Sequence, residues 1–178
     1  MKDKDDDELV ALGLSGSPEA LEELYGRHRA AILGYAYRMT GDRALAEDVL
    51  QNTFVYFFER LRRYEPRGLL GAYLFRIARS FATDEREAAR RAHSAPTPVG
   101  SAPEEDREAV AALEEKARQA MLTLPTHLRE VVELRLYQGF DYSRVAEITG
   151  VSEATARSRM RYALEGLRAS LGVVPKKP

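Results

Sequence analysis

Cysteine is absent from the 178 residues, which excludes disulfides and every cysteine-ligated zinc site. Histidine is scarce: His28, His93 and His127 lie far apart, outside any metal-ligand spacing, so no metal site is expected. Apolar runs are short. None approaches the ~20 residues needed to cross a bilayer, so no membrane insertion is expected. The start, Met1 to Glu8, is charged and mostly acidic. It lacks the basic and apolar stretches of a signal peptide, which makes the cytoplasm the expected location. Strands of useful length and internal repeats are also missing. A P-loop, a dinucleotide fingerprint and a His-Glu-x-x-His pair are not found, so no catalytic residue and no cofactor is assigned.

What is present is charge in the wrong places for a neutral protein. The net charge of -1 hides an asymmetry. Acids gather at Asp3–Glu8 and Glu104–Glu108, arginines at Arg60–Arg91 and Arg157–Arg168. Two local basic faces suit a nucleic-acid partner, although arginines also serve simply to solvate helix surfaces.

The periodicity is helical throughout. A short helix is expected around Asp7–Leu14. Ser17-Pro18-Glu19 then offers a cap, a first-turn proline and an acid. Leu21, Leu24, His28, Ile32, Tyr35 and Met39 follow at helical spacing, and Gly41 is placed to stop them. Asp42 can cap a helix whose apolar face is Leu45, Val49, Phe54, Phe57, Leu61 and Tyr64. Pro66 and Gly68 interrupt, and another helix is expected from about Leu69 to Arg91. Residues 92–108 contain Pro96, Pro98 and Pro103 among small residues and acids, which predicts a flexible linker. Beyond it, Ala109–Leu122, a segment opening at Pro125-Thr126, a short helix over Asp141–Thr149 capped by Asp141, and a long helix capped by Ser152 are expected. The fold class is therefore all-α: two small helical domains, 1–91 and 109–178, joined by a flexible linker.

The last two helices predict a helix-turn-helix. Asp141–Thr149, the turn Gly150-Val151-Ser152, and Glu153–Leu171 have the required lengths. Val145, Ile148, Val151 and Met160 can fill the core between them, with Met160, Leu164, Leu167 and Leu171 as the buried stripe of the second helix. Thr155, Arg157, Ser158, Arg161 and Tyr162 then lie near the N-terminal end of that helix, where base-edge contacts form in this motif. Arginine can give guanine two hydrogen bonds. Arg159 and Arg168 suit phosphate or solvent. The alternative is an αα-hairpin with an arginine-rich exposed face.

A second basic helix lies in the first half. Leu70, Leu74, Ile77 and Phe81 form its core stripe. Tyr73, Arg76, Ser80, Thr83 and Glu87 form another, flanked by Arg79, Arg86, Arg90 and Arg91. Tyr64 precedes it. Rings that stack on bases, interleaved with guanidiniums that hold phosphates, suit single-stranded nucleic acid. The alternative is that Tyr64 and Tyr73 are core aromatics.

Together these segments resemble the extracytoplasmic-function (ECF) group of bacterial sigma-70 factors from about Asp6 to Leu171. Asp48-Val49-Leu50-Gln51-Asn52-Thr53-Phe54 resembles the family's contact with the clamp helices of core RNA polymerase. Tyr73 through Asp84 resembles its minus-ten helix, and Tyr142 to Arg168 its minus-thirty-five helix-turn-helix. The resemblance implies Asp48, Gln51 and Asn52 as polymerase contacts. It implies Tyr64, Tyr73, Arg76, Arg79, Ser80, Thr83 and Arg86 at the melted minus-ten element. It implies Tyr142, Thr155, Arg157, Ser158, Arg159, Arg161 and Tyr162 at the upstream duplex. Core RNA polymerase, promoter DNA and, as a regulator, an anti-sigma factor are the implied partners. The sequence departs from the family with Asn52 for Glu, Tyr73 for Trp, Tyr162 for a basic residue, and Ser80 for Asn at a position associated with capturing a flipped base. A helix-turn-helix repressor or activator that never meets polymerase is the other reading of the residues.

Overall fold

A computed structural model describes residues 1, 3–91 and 115–172, apart from the side chains of 86 and 88–91. The chain splits into two compact units, Met1–Pro96 and Thr97–Pro178. Among the described residues every regular element is a helix or helical turn. The linker expected over 92–108, and with it His93, lies outside the described residues.

In the first unit the first three helices start where the sequence offers a side-chain acceptor for their orphan N–H groups. Helix α1, Asp6–Leu14, opens on a reciprocal capping box. The Glu8 N–H donates to Asp5 at 2.8 Å, and the Asp5 N–H donates to the Glu8 carboxylate at 2.9 Å. Helix α2, Pro18–Thr40, starts with Ser17 accepting from the Ala20 N–H, and ends at Gly41 in a left-handed turn. Helix α3, Arg43–Glu59, is capped by Asp42. A single 3-10 turn, Leu61–Arg63, and a loop lead to α4, Leu70–Arg91. Leu61 and Tyr64, expected to extend the α3 face, lie beyond the end of that helix, yet both are buried. Helices α2, α3 and α4 pack on one another and α1 packs on α2. Leu24, Ile32, Tyr35, Val49, Phe57 and Leu74 are sealed between them, each worth about 1.5–3 kcal/mol of burial. Leu21, Leu45 and His28 are only half-buried.

The second unit contains α5, helical over 115–123, then α6, Thr126–Val132, α7, Tyr142–Thr149, and α8, Glu153–Leu171. Helix α6 widens at Glu133–Tyr137 into a π-helical turn, which the sequence did not announce. Arg129, buried at the start of α6, donates to the carbonyls of Leu122 at 2.8 Å and Leu124 at 3.1 Å. Its cation thus satisfies the C-terminal carbonyls of α5. The inner stripe of α8 is Ala156, Met160 and Ala163. Leu164, Leu167 and Leu171, expected to be buried, are half-exposed. Helices α6 and α7 both pack on α8, whose buried stripe is narrow and built largely of alanine. Gly166 also leaves room for a neighbour, because a Cβ there would sit 2.8 Å from Leu124 Cδ2.

Candidate nucleic-acid and polymerase interfaces

The helix-turn-helix is built by its caps. Asp141 accepts from the Arg144 N–H at 2.8 Å and starts α7. Gly150 ends it at φ 69, a backbone conformation that favours glycine. Ser152 then accepts from the Thr155 N–H at 3.1 Å and starts α8. Val145, Ala146 and Ile148 of α7 are buried, as are Ala156 and Met160 of α8, while Val151 is half-buried. This fixes the outer face of α8. Thr155, Arg157, Ser158, Arg161 and Tyr162 are exposed on it, and Arg159 is half-buried.

The arginines on this face are already oriented. Arg157 pairs with Glu153 one turn back and holds its guanidinium 4.4 Å from the centre of the Tyr142 ring. Arg135, from the π-helical turn, approaches the same ring at 5.3 Å. Tyr142 is therefore a platform beneath two cations, which fixes rotamers that would otherwise be free. Arg161 lies over its neighbour Tyr162 at 4.9 Å. Arg135 escaped notice in the sequence because it precedes the motif; only folding brings it to the Tyr142 ring.

The first unit places its aromatics differently. A cavity of about 240 Å³ opens beside α4, lined by Tyr56, Tyr73, Arg76, Ile77, Ser80 and Phe81. Arg76 lies 5.2 Å from the centre of the Tyr73 ring, and Arg60 lies 3.9 Å from that of Tyr56. Tyr56 and Phe81 meet edge to face at 6.1 Å. Ser80, Arg76 and Thr83 are exposed, and Arg79 is half-buried. The side chain of Arg86 lies outside the described residues. Tyr56 and Arg60 were missed in the sequence because they lie at and just past the end of α3, away from the α4 motif. Phe81 was assigned to the core stripe, but it is half-exposed and walls the cavity.

Tyr64 departs from expectation. It is 9% exposed, with its ring 6.0 Å from Phe57 and 5.2 Å from Tyr73. A ring so enclosed offers no open face for a base, so the expected stacking surface at this position is corrected to a core contact. Burial first, and then the charge of Asp7, push its phenol pKa up to about 12. Tyr73 is half-buried: one side rests on Tyr64 and Phe57, while the ring also walls the cavity.

On α3, Asp48 and Gln51 are exposed and Asn52 is half-buried, opposite the buried Ala46, Val49, Thr53 and Phe57. Val55 completes that outer stripe, one turn beyond Gln51, and is 49% exposed. Among the described residues no group of three or more His, Asp or Glu side chains could hold a metal ion, and none of the helices is long and apolar enough to cross a membrane.

Comparison with known proteins agrees with both units. Residues 24–92 match Sigma-70 region 2, and residues 114–167 match Sigma-70, region 4. The chain is 33% identical over 164 residues to the ECF RNA polymerase sigma factor SigL of Mycobacterium tuberculosis, covering 85% of this chain and 88% of that one. The fold is similar to that of CnrH, solved in complex with the cytosolic domain of CnrY, with a TM-score of 0.74, 26% identity, and coverage of 94% and 97%. It is also similar to that of the sigma factor RpoE of Bartonella quintana, solved with the anti-sigma factor NepR, with a TM-score of 0.71, 24% identity, and coverage of 85% and 96%.

Proposed function

This chain belongs to the ECF group of the sigma-70 family, a sigma factor of transcription initiation whose partners are core RNA polymerase and promoter DNA, and we propose which of its surfaces meets each partner. The outer stripe of α3 (Asp48, Gln51, Asn52) docks on core polymerase. The cavity of α4 receives a base extruded from the melted minus-ten element, with Tyr73, Arg76, Arg79, Ser80 and Thr83 around the strand. The exposed N-terminal face of α8, with Tyr142 beneath Arg157, reads the upstream element as duplex. Domain limits of 1–91 and 109–178 follow from this division. Sigma factors are typically non-catalytic, and we read this one so: polymerase performs nucleotidyl transfer, and the sigma factor supplies binding energy. A cytoplasmic location follows from working on polymerase. We also propose an anti-sigma factor as a third partner, a reading supported by RpoE having been solved with NepR.

The observation that carries the assignment is the cavity. Its lining combines three aromatic rings with the guanidinium of Arg76 and the short hydroxyl of Ser80. Extruding a base sacrifices stacking and pairing, and such a pocket returns both by ring contact and hydrogen bonding. The test is run-off transcription by reconstituted holoenzyme on promoters selected from genomic DNA. Ser80→Asn exchanges a short hydroxyl for an amide with more donors and acceptors. It should change the preferred minus-ten base while preserving transcription. An unchanged base preference would move the site away from this cavity. Sequence-specific DNA binding with no association to core polymerase would return the chain to the class of free-standing helix-turn-helix regulators.

A further inference from the structure

Building on the assignment of the α4 cavity to the melted strand, we infer that Asp7 of α1 is a positioning residue for that cavity, acting through the loop between Tyr64 and Leu69. Asp7 is remote from the cavity in sequence and does not line it. Its carboxylate nevertheless reaches across 61 residues of chain to accept the Gly68 N–H at 2.7 Å. An N–H donated to a carboxylate is a charge-assisted bond, stronger than the neutral kind.

The loop has little else to hold it. Residues 65–68 are all exposed, and Arg67 and Glu65 pair only with each other at the surface. Gly68 sits at φ +66, with open space where a side chain would stand, so glycine is required there by the backbone turn rather than by crowding. Asp7 therefore grips the loop at its most conformationally free residue. On one side of the grip is Tyr64, whose ring rests against Tyr73. On the other is Leu69, whose carbonyl accepts the Tyr73 N–H at 3.0 Å and so starts α4. Both routes end at Tyr73, a wall of the cavity.

Helix α1 is itself anchored on the far side. Asp6, the preceding residue, accepts from Arg27 at 3.2 Å and contacts His28 at 2.7 Å, both on α2. The two neighbouring acids divide the work, Asp6 fastening α1 to α2 and Asp7 fastening the loop to α1. The grip is finely balanced, because the second Asp7 oxygen is buried without a hydrogen-bond partner. That unmet group opposes the bond that is made. A joint of this kind responds to a single atom, which makes it testable.

Reconstituted holoenzyme is assayed on its selected promoters for closed-complex footprint, for opening by permanganate reactivity of unpaired thymines, and for hydrogen exchange of peptides spanning 61–75. Asp7→Ala should accelerate exchange over 65–69 and slow opening about tenfold or more, the worth of one charge-assisted bond, with the closed complex intact. A pre-melted template should restore its activity. Asp7→Asn should restore opening as well, since the amide oxygen still accepts from Gly68 and the new N–H group can serve Tyr64. Asp6→Ala should lower the melting temperature without slowing opening. Wild-type opening by Asp7→Ala, where Ser80→Ala and Arg76→Ala are slow, would overturn the inference and leave the cavity assignment standing. Wild-type opening by Ser80→Ala and Arg76→Ala would overturn that assignment and the inference with it. A slow Asp7→Ala that neither Asn nor the bubble restores, or one matched by Asp6→Ala, would reduce Asp7 to a support of the fold and overturn the inference too.

Discussion

The two surfaces proposed to face DNA use the same residue types to opposite ends. On α8, arginines stand on an outward ridge: Ala156, Met160 and Ala163 are buried where α6 and α7 pack, while Arg157 and Arg161 are exposed and Arg159 is half-buried. On α4, the neighbouring helix contributes Tyr56, and the surface becomes a hollow. In both, guanidiniums lie over tyrosine rings, Arg157 over Tyr142 and Arg76 over Tyr73. The ridge can enter a groove and read base edges without altering the duplex. The hollow can hold only what has left the duplex. Under the proposed assignment, recognition and melting are separated by what lies under the helix, not by what the helix carries.

The largest effect should come from the residue that the hollow hides. Tyr64→Ala removes a buried ring from between Phe57 and Tyr73, and should destabilise the first unit by about 3–5 kcal/mol. Tyr73→Ala takes away a half-exposed ring. It should cost far less in melting temperature, and instead about 1–3 kcal/mol in promoter opening, recoverable on a pre-melted template. Thermal unfolding of the full chain and opening assays separate the two. Equal melting temperatures for both variants would dissolve the distinction between core and wall.

That pair also marks how far the sequence could be read. Caps were legible, because Asp5, Ser17, Asp42, Asp141 and Ser152 act on their own next turn, and all but Asp5 were read. The order of helices was legible for the same local reason. The exposed face of α8 followed from its period. The hollow did not, since Tyr56 and Phe81 meet only through the packing of α3 on α4, and a period assigns each to one helix alone. Tyr64 stands in irregular chain, where no period says which way a ring turns. The π-helical turn at Glu133–Tyr137 escaped as well, because one widened turn leaves the surrounding apolar pattern intact.

The ridge gives the next effect in size. Arg157→Ala or Arg161→Ala should cost about 1–3 kcal/mol on the cognate upstream element and relax specificity there. Binding of holoenzyme to matched and scrambled duplexes measures it. Melting of a pre-docked promoter should be unchanged in these variants, which sharpens the comparison. If either variant is instead slow to open promoters that it still binds tightly, the division of labour between the two surfaces fails.

A smaller effect tests the face that is neither ridge nor hollow. Asp48→Arg reverses an exposed charge on α3 and should weaken association with core polymerase by about 1 kcal/mol, as exposed charge pairs do. Fluorescence titration of labelled sigma factor with core polymerase reads this out, and circular dichroism should show the helices intact. Association at full strength would shift the docking surface off this stripe.

At neutral pH the last effect vanishes; it is confined to alkaline solution and tests whether Tyr64 belongs to the core of the first unit. In the unfolded chain Tyr64 titrates near its ordinary value of 10.0, whereas burial and the Asp7 charge push it up to about 12 in the folded one. Between those values the folded state keeps a proton that the unfolded state has lost. Stability from the neutral phenol is therefore complete below about pH 10 and disappears as pH rises through about 12. Tyr64→Phe has no proton to lose, so its stability should decline less over that interval. At neutral pH the same variant should be about as stable as the wild type, because the buried hydroxyl it removes makes at most a weak hydrogen bond with the Leu69 backbone. The other tyrosines, eight of the nine in the chain, are common to both proteins and cancel in the difference. Melting curves of the two full-length chains across that range give the comparison directly. Parallel loss of stability in both would mean that Tyr64 ionises as freely in the folded unit as in the unfolded chain. Its ring would then be a surface group, and the hollow would regain the stacking platform that burial has taken from it.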